Sequence, residues 1–480
     1  MRRDQMHDYQ VEARNFIIDT PFCGLFLEMG IGKTVITATA IVDLLDEFKV
    51  KKVLIIGPRR VAKVTWPDEF KTWDHLFLEN IITVIGTAEQ RIKALNTPGQ
   101  IYTINRENIP WLVNHYKGKW PFDMVVIDES SSFKSHESQR FKMLVKVLPR
   151  IKRLVELTAT PNGESYTALF SQIFLLDRGA RFGKRFTKFR DEYFEYNQYN
   201  HTTKPREDTE IRLLDKIKDI CLVMLADDYL EMTETRYVKV PVRLSKKHTA
   251  LYQEFRSNLV MQIPENEDII VEAESAAILA QKSLQMCSGV IYNTYYDGID
   301  VNDKPIRKTD IYDIHEEKLD ALALFLEEQE QAGNNVFLGY HFKSSRARIL
   351  KRFPKIVEMD KNGDNIKDWN AGRIKCYMAH PQSAGHGLNL QRGGHTILFY
   401  DIPYSFENYD QFIGRLARQG QKNNVTVYHL IAEGTSKDGN PVRLADRDVY
   451  ENLRRKENNQ DWALKTLRDL RRKATKRKNK

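Results

Sequence analysis

The sequence has only four cysteines in 480 residues, Cys23, Cys221, Cys287 and Cys376, and no CxxC pair among them. That spacing supports neither a zinc ribbon nor a disulfide framework. Buried thiols in a reducing compartment are the expected state. Long apolar runs are also missing. The longest is the seven residues Ile220 to Ala226, whereas a bilayer span needs about 20. The opening Met1-Arg2-Arg3-Asp4-Gln5 leads into polar sequence with no apolar h-region, so no secretory signal and no membrane partner are expected, and a soluble, cytoplasmic protein is. No internal repeat is visible at a period of roughly 20–50 residues, which argues against a solenoid or a propeller.

What is present describes a globular chain. Hydrophobic residues make up 41%, with 6 Trp, 21 Tyr and 23 Phe, which excludes disorder throughout. At about 100–200 residues per domain the length allows two to four domains. Lys and Arg number 74 against 65 Asp and Glu, a formal charge of +9. The last ten residues, Arg471 to Lys480, carry seven basic residues and no acid. Such an end is either a solvated tail or an arm for nucleic acid.

Short continuous apolar runs suit strands covered on both faces of a parallel sheet. They occur at Val53–Ile56, Ile81–Ile85, Ile101–Ile104 and Met124–Ile127, and again at Val336–Leu338, Cys376–Ala379, Thr396–Tyr400 and Val425–Ile431. Two α/β sheets are therefore expected, one towards each end. Between them, from about 178 to 310, charge and aromatics rise and helix-like periodicity runs over Lys246–Gln262 and Glu272–Cys287. This middle stretch reads as a helical insertion. A charged helix is expected from Asp446 to Lys473.

Three segments carry chemistry. Glu28-Met29-Gly30-Ile31-Gly32-Lys33-Thr34 precedes a helix-like stretch. A glycine-rich turn that opens a helix points backbone N–H groups at phosphate, and the helix dipole favours the anion. Lys33 would reach the β- and γ-phosphates, and Thr34 would ligate Mg²⁺. The full pattern wants glycine five residues before Gly32, and Leu27 stands there. The apolar run Met124–Ile127 ends in Asp128-Glu129, at the strand end where parallel sheets bind ligands. Asp128 would hold Mg²⁺ through water, and Glu129 would orient or deprotonate the attacking water. Leu157-Thr158-Ala159-Thr160-Pro161 then makes a tight strand exit able to hydrogen-bond the carboxylates. Its place behind the other two resembles the third motif of superfamily 2 motors. Further on, a helix over Gln411–Arg418 would set Gln411, Arg415 and Arg418 within roughly 60° of one another, with Phe412, Ile413, Leu416 and Ala417 opposite.

Over nearly its whole length the chain resembles Swi/Snf-type double-stranded DNA translocases, in the compact form carried by phages and prophages. Met6-His7-Asp8-Tyr9-Gln10 resembles the family's adenine-reading motif, and Leu54 to Trp73, with Trp66 and Glu69-Phe70, its second motif. Leu169 to Phe189 resembles the stretch after its third. Ser383 to Leu390 resembles motif five, and Asp410 to Gln421 motif six. There are departures: Ser130-Ser131 stand where the family usually has Ala-His, and Gly414 and Ala417 where it usually has Asp and His.

The resemblance implies two RecA-like parallel-sheet lobes, 1–177 and 310–445, with a helical insertion and linker over 178–309 and a C-terminal helix and basic tail over 446–480. ATP, with Mg²⁺ held by Thr34 and Asp128, would be contacted by Gln10, Gly30, Gly32, Lys33, Thr34, Asp128 and Gln411. Lys33, Glu129, Arg415 and Arg418 would be catalytic, the two arginines as fingers on the transferring phosphate. Double-stranded or branched DNA would be gripped by its backbone, with Arg59, Arg60, Asn105, Arg106, Lys343 and Ser344 as candidate contacts. The setting implied is a bacterial or phage-infected host cytoplasm. A strand-separating helicase and a DNA-binding scaffold without motor activity are the alternatives, and no protein partner follows from the sequence.

Overall fold

The computed structural model describes all residues except 78, 162–164, 198–201, 264–265, 300–304, 361–363, 385–387 and 479–480. The chain divides into two compact units, Met1–Glu231 with Lys456–Lys480, and Met232–Arg455.

The first unit is built on seven parallel strands in the order Ile81–Val84, Ile101–Asn105, Val53–Gly57, Met124–Asp128, Arg153–Thr158, Phe22–Leu27 and Cys221–Met224. Three of the apolar runs become inner strands covered on both faces, with Val53–Gly57 and Met124–Asp128 buried throughout, while Ile81–Val84 forms one edge and is partly exposed. Helices cross between them, and Arg153–Thr158, sixth in the chain, lies beside Phe22–Leu27, the first. Ala463, Leu464 and Leu467 of the C-terminal helix pack into the same core.

The second unit is also a parallel sheet, in the order Thr235–Arg243, Val425–Thr435, Thr396–Phe399, Val336–Gly339, Cys376–Ala379 and Val357–Glu358, with Pro441–Arg443 antiparallel on Val425–Thr435. Alternation sends Phe337, Ile397, Phe399 and Val427 into one core, and Val336, Leu338, Leu398 and Leu430 into another. The two α/β parallel sheets read from the sequence are thus present.

The stretch 178–309 differs from a purely helical insertion. It holds the helices Phe186–Tyr193, Thr209–Ile217, Lys246–Asn258 and Ala276–Cys287, but also the pairs Phe194–Asn197 with Thr202–Pro205, Val260–Ile263 with Asn266–Glu272, and Val290–Ile299 with Pro305–Asp313. The compact units meet in sequence at Glu231/Met232, inside this stretch. One helix read as reaching Gln262 stops at Asn258, where Leu259 turns left-handed with φ +62° and β-prone Val260-Met261-Gln262-Ile263 takes over.

The final helix runs Ala445–Lys478, so among the described residues the basic stretch from Arg471 continues the helix. The Arg471 guanidinium lies 4.3 Å over the Phe16 ring and donates to Lys218 O at 3.0 Å, and Arg472 pairs with Asp228 at 3.5 Å.

Candidate functional site

In the first unit, the strand Phe22–Leu27 exits into the glycine turn and the helix Lys33–Asp46. Gly30 and Gly32 have φ of +90° and +91°, a left-handed backbone that favours glycine. At Gly32 a Cβ would come within 2.5 Å of Gln10 Nε2, so a side chain there would push the Gln10 amide aside. Buried Gln10 donates to Ile31 O at 3.0 Å and accepts from the His7 N–H at 3.0 Å. It braces the turn. Lys33 Nζ donates to Leu27 O at 2.7 Å, and half-buried Thr34 follows it at the helix start.

Asp128, at the end of its strand, is brought to the same edge of the sheet. Oδ2 accepts from the Trp66 indole N–H at 2.9 Å, and Oδ1 from the Glu129 N–H at 3.1 Å. Burial pushes the Asp128 carboxyl above its usual range. The Trp66 donor, the Lys33 charge and the Glu129 N–H pull it back. Glu129 itself is half-buried and left-handed, φ +56°, an uncommon backbone for a residue with a side chain. Beside it, Ser130 Oγ donates to Gln172 Oε1 at 3.0 Å, and Gln172 Nε2 donates to Pro161 O at 2.6 Å. The Thr158–Pro161 turn is further held by Thr160 N–H on Thr158 Oγ1 at 3.0 Å, and by Gln460 Nε2 on Ala159 O at 3.0 Å.

Among the described residues no cluster of three or more His, Cys, Asp or Glu could cage a metal. A threonine hydroxyl and one carboxylate with lone pairs to spare are hard oxygen donors. They fit Mg²⁺, which keeps waters and takes phosphate oxygens rather than filling an all-protein site.

In the second unit the helix Phe406–Ile413 carries buried Gln411 but ends before the arginines. Arg415 and Arg418 lie on the turns that follow, so the single helical face read from the sequence does not exist; Gly414, at the helix C-cap, ends it. The two come together by another route. Arg415 Nη1 and Arg418 Nη1 both donate to Leu388 O, at 3.2 and 3.1 Å. Burial lowers the pKa of Arg418, which still leaves a guanidinium charged at physiological pH.

The expected DNA contacts are placed unequally. Exposed Arg59 and half-buried Arg60 follow the strand Val53–Gly57, and Asn105 ends the neighbouring strand with Arg106 just after it, where Gly57 and Asn105 are in register. All four lie at the same sheet edge as Asp128. Asn105 is buried, donates to Glu107 Oε2 at 2.9 Å and accepts from Asn108 at 2.6 Å. Arg106 pairs with Glu107 at 3.0 Å. Lys343 is exposed at its helix start, whereas Ser344 is buried against Tyr292 Oη at 2.9 Å. Asn105 and Ser344 hold their turns rather than face solvent.

Trp66, Gln172 and Gln460 were not picked out as site residues from the sequence. Gln172 had a signal, a lone amide in the apolar helix Leu169–Asp177. Trp66 and Gln460 reach their partners across 62 and 301 residues, which no local pattern encodes.

The SNF2-related domain family model matches residues 9–288. "Putative protein p41" of Acyrthosiphon pisum secondary endosymbiont phage 1 is 32% identical over 443 residues, 89% of this chain and 93% of that protein. An uncharacterized ATP-dependent helicase of Mycoplasma genitalium, MG018, is 24% identical over 459 residues, 90% of this chain and 40% of that one. The DNA repair and recombination protein RAD54-like of Drosophila willistoni is 23% identical over 470 residues, 86% of this chain and 57% of that protein. The chain thus spans nearly all of the phage relative and less than two thirds of the other two.

Proposed function

Because the chain belongs to the SNF2-related family of DNA-dependent motor ATPases, we propose that it is an ATP-driven translocase on double-stranded DNA that remodels or branch-migrates it. The observation that carries the hydrolytic half is that the glycine turn before Lys33 and the strand end at Asp128 lie at the same end of one parallel sheet. The phosphate turn and the acidic strand end come from distant parts of the sequence, and the Lys33 charge acts on the Asp128 carboxyl. When bound, Mg²⁺ would neutralise phosphate charge, held by Thr34 and Asp128. Gly30 and Gly32 let backbone N–H groups face the phosphates. Lys33 would leave Leu27 O for the β- and γ-phosphates. Glu129 orients the attacking water and takes its proton. Arg415 and Arg418, already converging on one carbonyl, act on charge that builds in the transition state, and Gln411 contacts the nucleotide.

On the DNA side, Arg59, Arg60, Arg106 and Lys343 are the candidate phosphate contacts, which suits a motor that must ignore sequence. The name of the RAD54-like relative supports a role in repair or recombination, and that of MG018 keeps strand separation as the second reading.

The test is ATPase rate with duplex, single-stranded and four-way-junction DNA side by side. Stimulation by duplex or junction supports the translocase. Stimulation by single strands alone favours a conventional helicase, and no turnover at all favours a scaffold.

A further inference from the structure

The helix Leu169–Asp177 packs into the core of the first unit, with Leu169, Phe170, Ile173, Leu175 and Leu176 buried. One residue among them differs in polarity. Gln172 stands in the middle of this helix and is 0% exposed. Burying an amide is unfavourable unless its hydrogen bonds are replaced, and a leucine would sit there without that need. In Gln172 they are replaced. Oε1 accepts the Ser130 hydroxyl proton at 3.0 Å, and Nε2 donates to Pro161 O at 2.6 Å and to Ala168 O at 3.3 Å. Ser130 is 0% exposed as well. The bond between the two side chains is therefore made away from water, where it is electrostatically stronger and leaving either partner unpaired is unfavourable.

The groups that Gln172 joins belong to two turns of the site. Ser130 directly follows left-handed Glu129, a backbone state that costs energy unless its surroundings hold it. Pro161 closes the Thr158–Pro161 turn. These turns leave neighbouring strands, Met124–Asp128 and Arg153–Thr158, in which Asp128 and Leu157 are in register. A second bond from the same helix, Ser171 Oγ to Lys134 O at 3.0 Å, touches only the segment beyond Glu129. Among the described residues of this helix, Gln172 is the side chain that reaches both turns. Ser130 also stands where the family usually has Ala. Alanine has no hydroxyl with which to make the link, so the connection belongs to this chain's own residues.

We propose that Gln172 is a positioning residue for ATP hydrolysis: its amide ties Ser130 Oγ to Pro161 O and so holds the water-orienting Glu129 in a fixed place relative to the Thr158–Pro161 turn. The proposal rests on the hydrolase function proposed above. In this role Gln172 touches neither ATP nor the attacking water, and acts through Ser130 and the backbone of Glu129. Losing the link misplaces Glu129 and leaves Gly30, Gly32, Lys33 and Thr34, on another turn, as they are.

The test uses the full chain with ATP, Mg²⁺ and duplex DNA, comparing wild type with Ser130→Ala, Gln172→Met, the Ser130→Ala/Gln172→Met double variant, Ser171→Ala and Glu129→Gln. Ser130→Ala and Gln172→Met each break the link. In each, kcat should fall on the order of 10- to 100-fold, the scale of a small misplacement of reacting groups, with KM for ATP unchanged. The double variant breaks nothing further, so its kcat should match that of Gln172→Met rather than multiply the two losses. It should nevertheless melt above Gln172→Met, because the stranded Ser130 hydroxyl is gone. Ser171→Ala should keep wild-type kcat. Wild-type kcat in Ser130→Ala or Gln172→Met overturns the proposal, and so does a rise in KM as large as the fall in kcat. Multiplied losses in the double variant, or a kcat that recovers there along with the melting temperature, overturn it too. A Ser171→Ala variant as slow as Ser130→Ala does the same, since the loss would then come from loosening the helix. If Gln172→Met does not fold, Ser130→Ala read beside Ser171→Ala decides. A wild type that turns over no ATP, or a Glu129→Gln variant as fast as wild type, removes the hydrolase function as well. An active wild type, an inactive Glu129→Gln and unchanged Ser130 and Gln172 variants remove only this proposal.

Discussion

Replacing Lys318 with methionine tests how the second unit tolerates a buried charge. Lys318 Nζ lies 2.6 Å from Asp446 Oδ2, with the two side chains 1% and 2% exposed. The same oxygen accepts the Ala432 N–H at 3.0 Å. At an effective dielectric constant of about 20, charges at this separation attract by roughly 6 kcal/mol. Taking each ion out of water costs several kcal/mol, so the intact pair is close to break-even. Removing one partner is different. Lys318→Met keeps an unbranched chain one heavy atom shorter but leaves Asp446 buried without its cation, and a loss of about 3–5 kcal/mol is expected. The loss should depend on pH. Burial holds the Asp446 carboxyl above its usual range and Lys318 pulls it back, so the variant's carboxyl rises further. The folded chain then keeps a proton that the unfolded chain releases near the ordinary carboxylate value of about 3.9. Stability therefore falls as pH rises above that value, and the deficit is smallest in acid and largest at neutral pH. Hydrogen exchange read by mass spectrometry in urea, on peptides from Val425–Thr435, reports this unit separately from the first. Lys318→Met/Asp446→Asn should recover much of the loss, because the amide oxygen still accepts from Ala432. Wild-type protection in Lys318→Met at pH 7.5, or the same deficit at pH 5 and 7.5, would refute the reasoning.

Lys33→Ala and Glu129→Gln should each abolish hydrolysis without unfolding the chain, and Glu129→Gln should still bind ATP, because it removes neither a phosphate nor a metal ligand; calorimetric titration checks the separation. Arg415→Ala and Arg418→Ala should lower kcat far more than ATP affinity, by up to the order of 10³–10⁵ seen for arginine fingers; unchanged steady-state turnover in both would mean that their convergence on Leu388 O is structural. Deleting residues 473–480, which spares packed Arg471 and Arg472, removes five basic residues. DNA affinity should fall whatever the sequence, and the log–log salt slope should flatten by about 0.9 for each phosphate that those residues neutralise, while ATPase at saturating DNA stays at wild-type level. Identical binding curves across salt concentrations would make that end a solvated one.

What could be read from the sequence was local. Gly30 and Gly32 before the helix Lys33–Asp46, and Asp128 closing a fully buried strand, are features of consecutive residues, and backbone sterics and burial on both faces decide them within a few positions. The two parallel sheets followed for the same reason. The helix over Gln411–Arg418 did not, because a wheel drawn on sequence assumes that the helix continues, and it ends at Ile413. Left to the tertiary structure were the partners that strand order brings together. Arg153–Thr158 lies between Met124–Asp128 and Phe22–Leu27, which buries Glu156 at the centre of the sheet. Trp66 reaches Asp128 across 62 residues, and Gln460 reaches Ala159 across 301. A hydrogen bond depends on a few tenths of an ångström and on direction, and those are settled only when the whole sheet, with its crossovers and its covering helices, has closed.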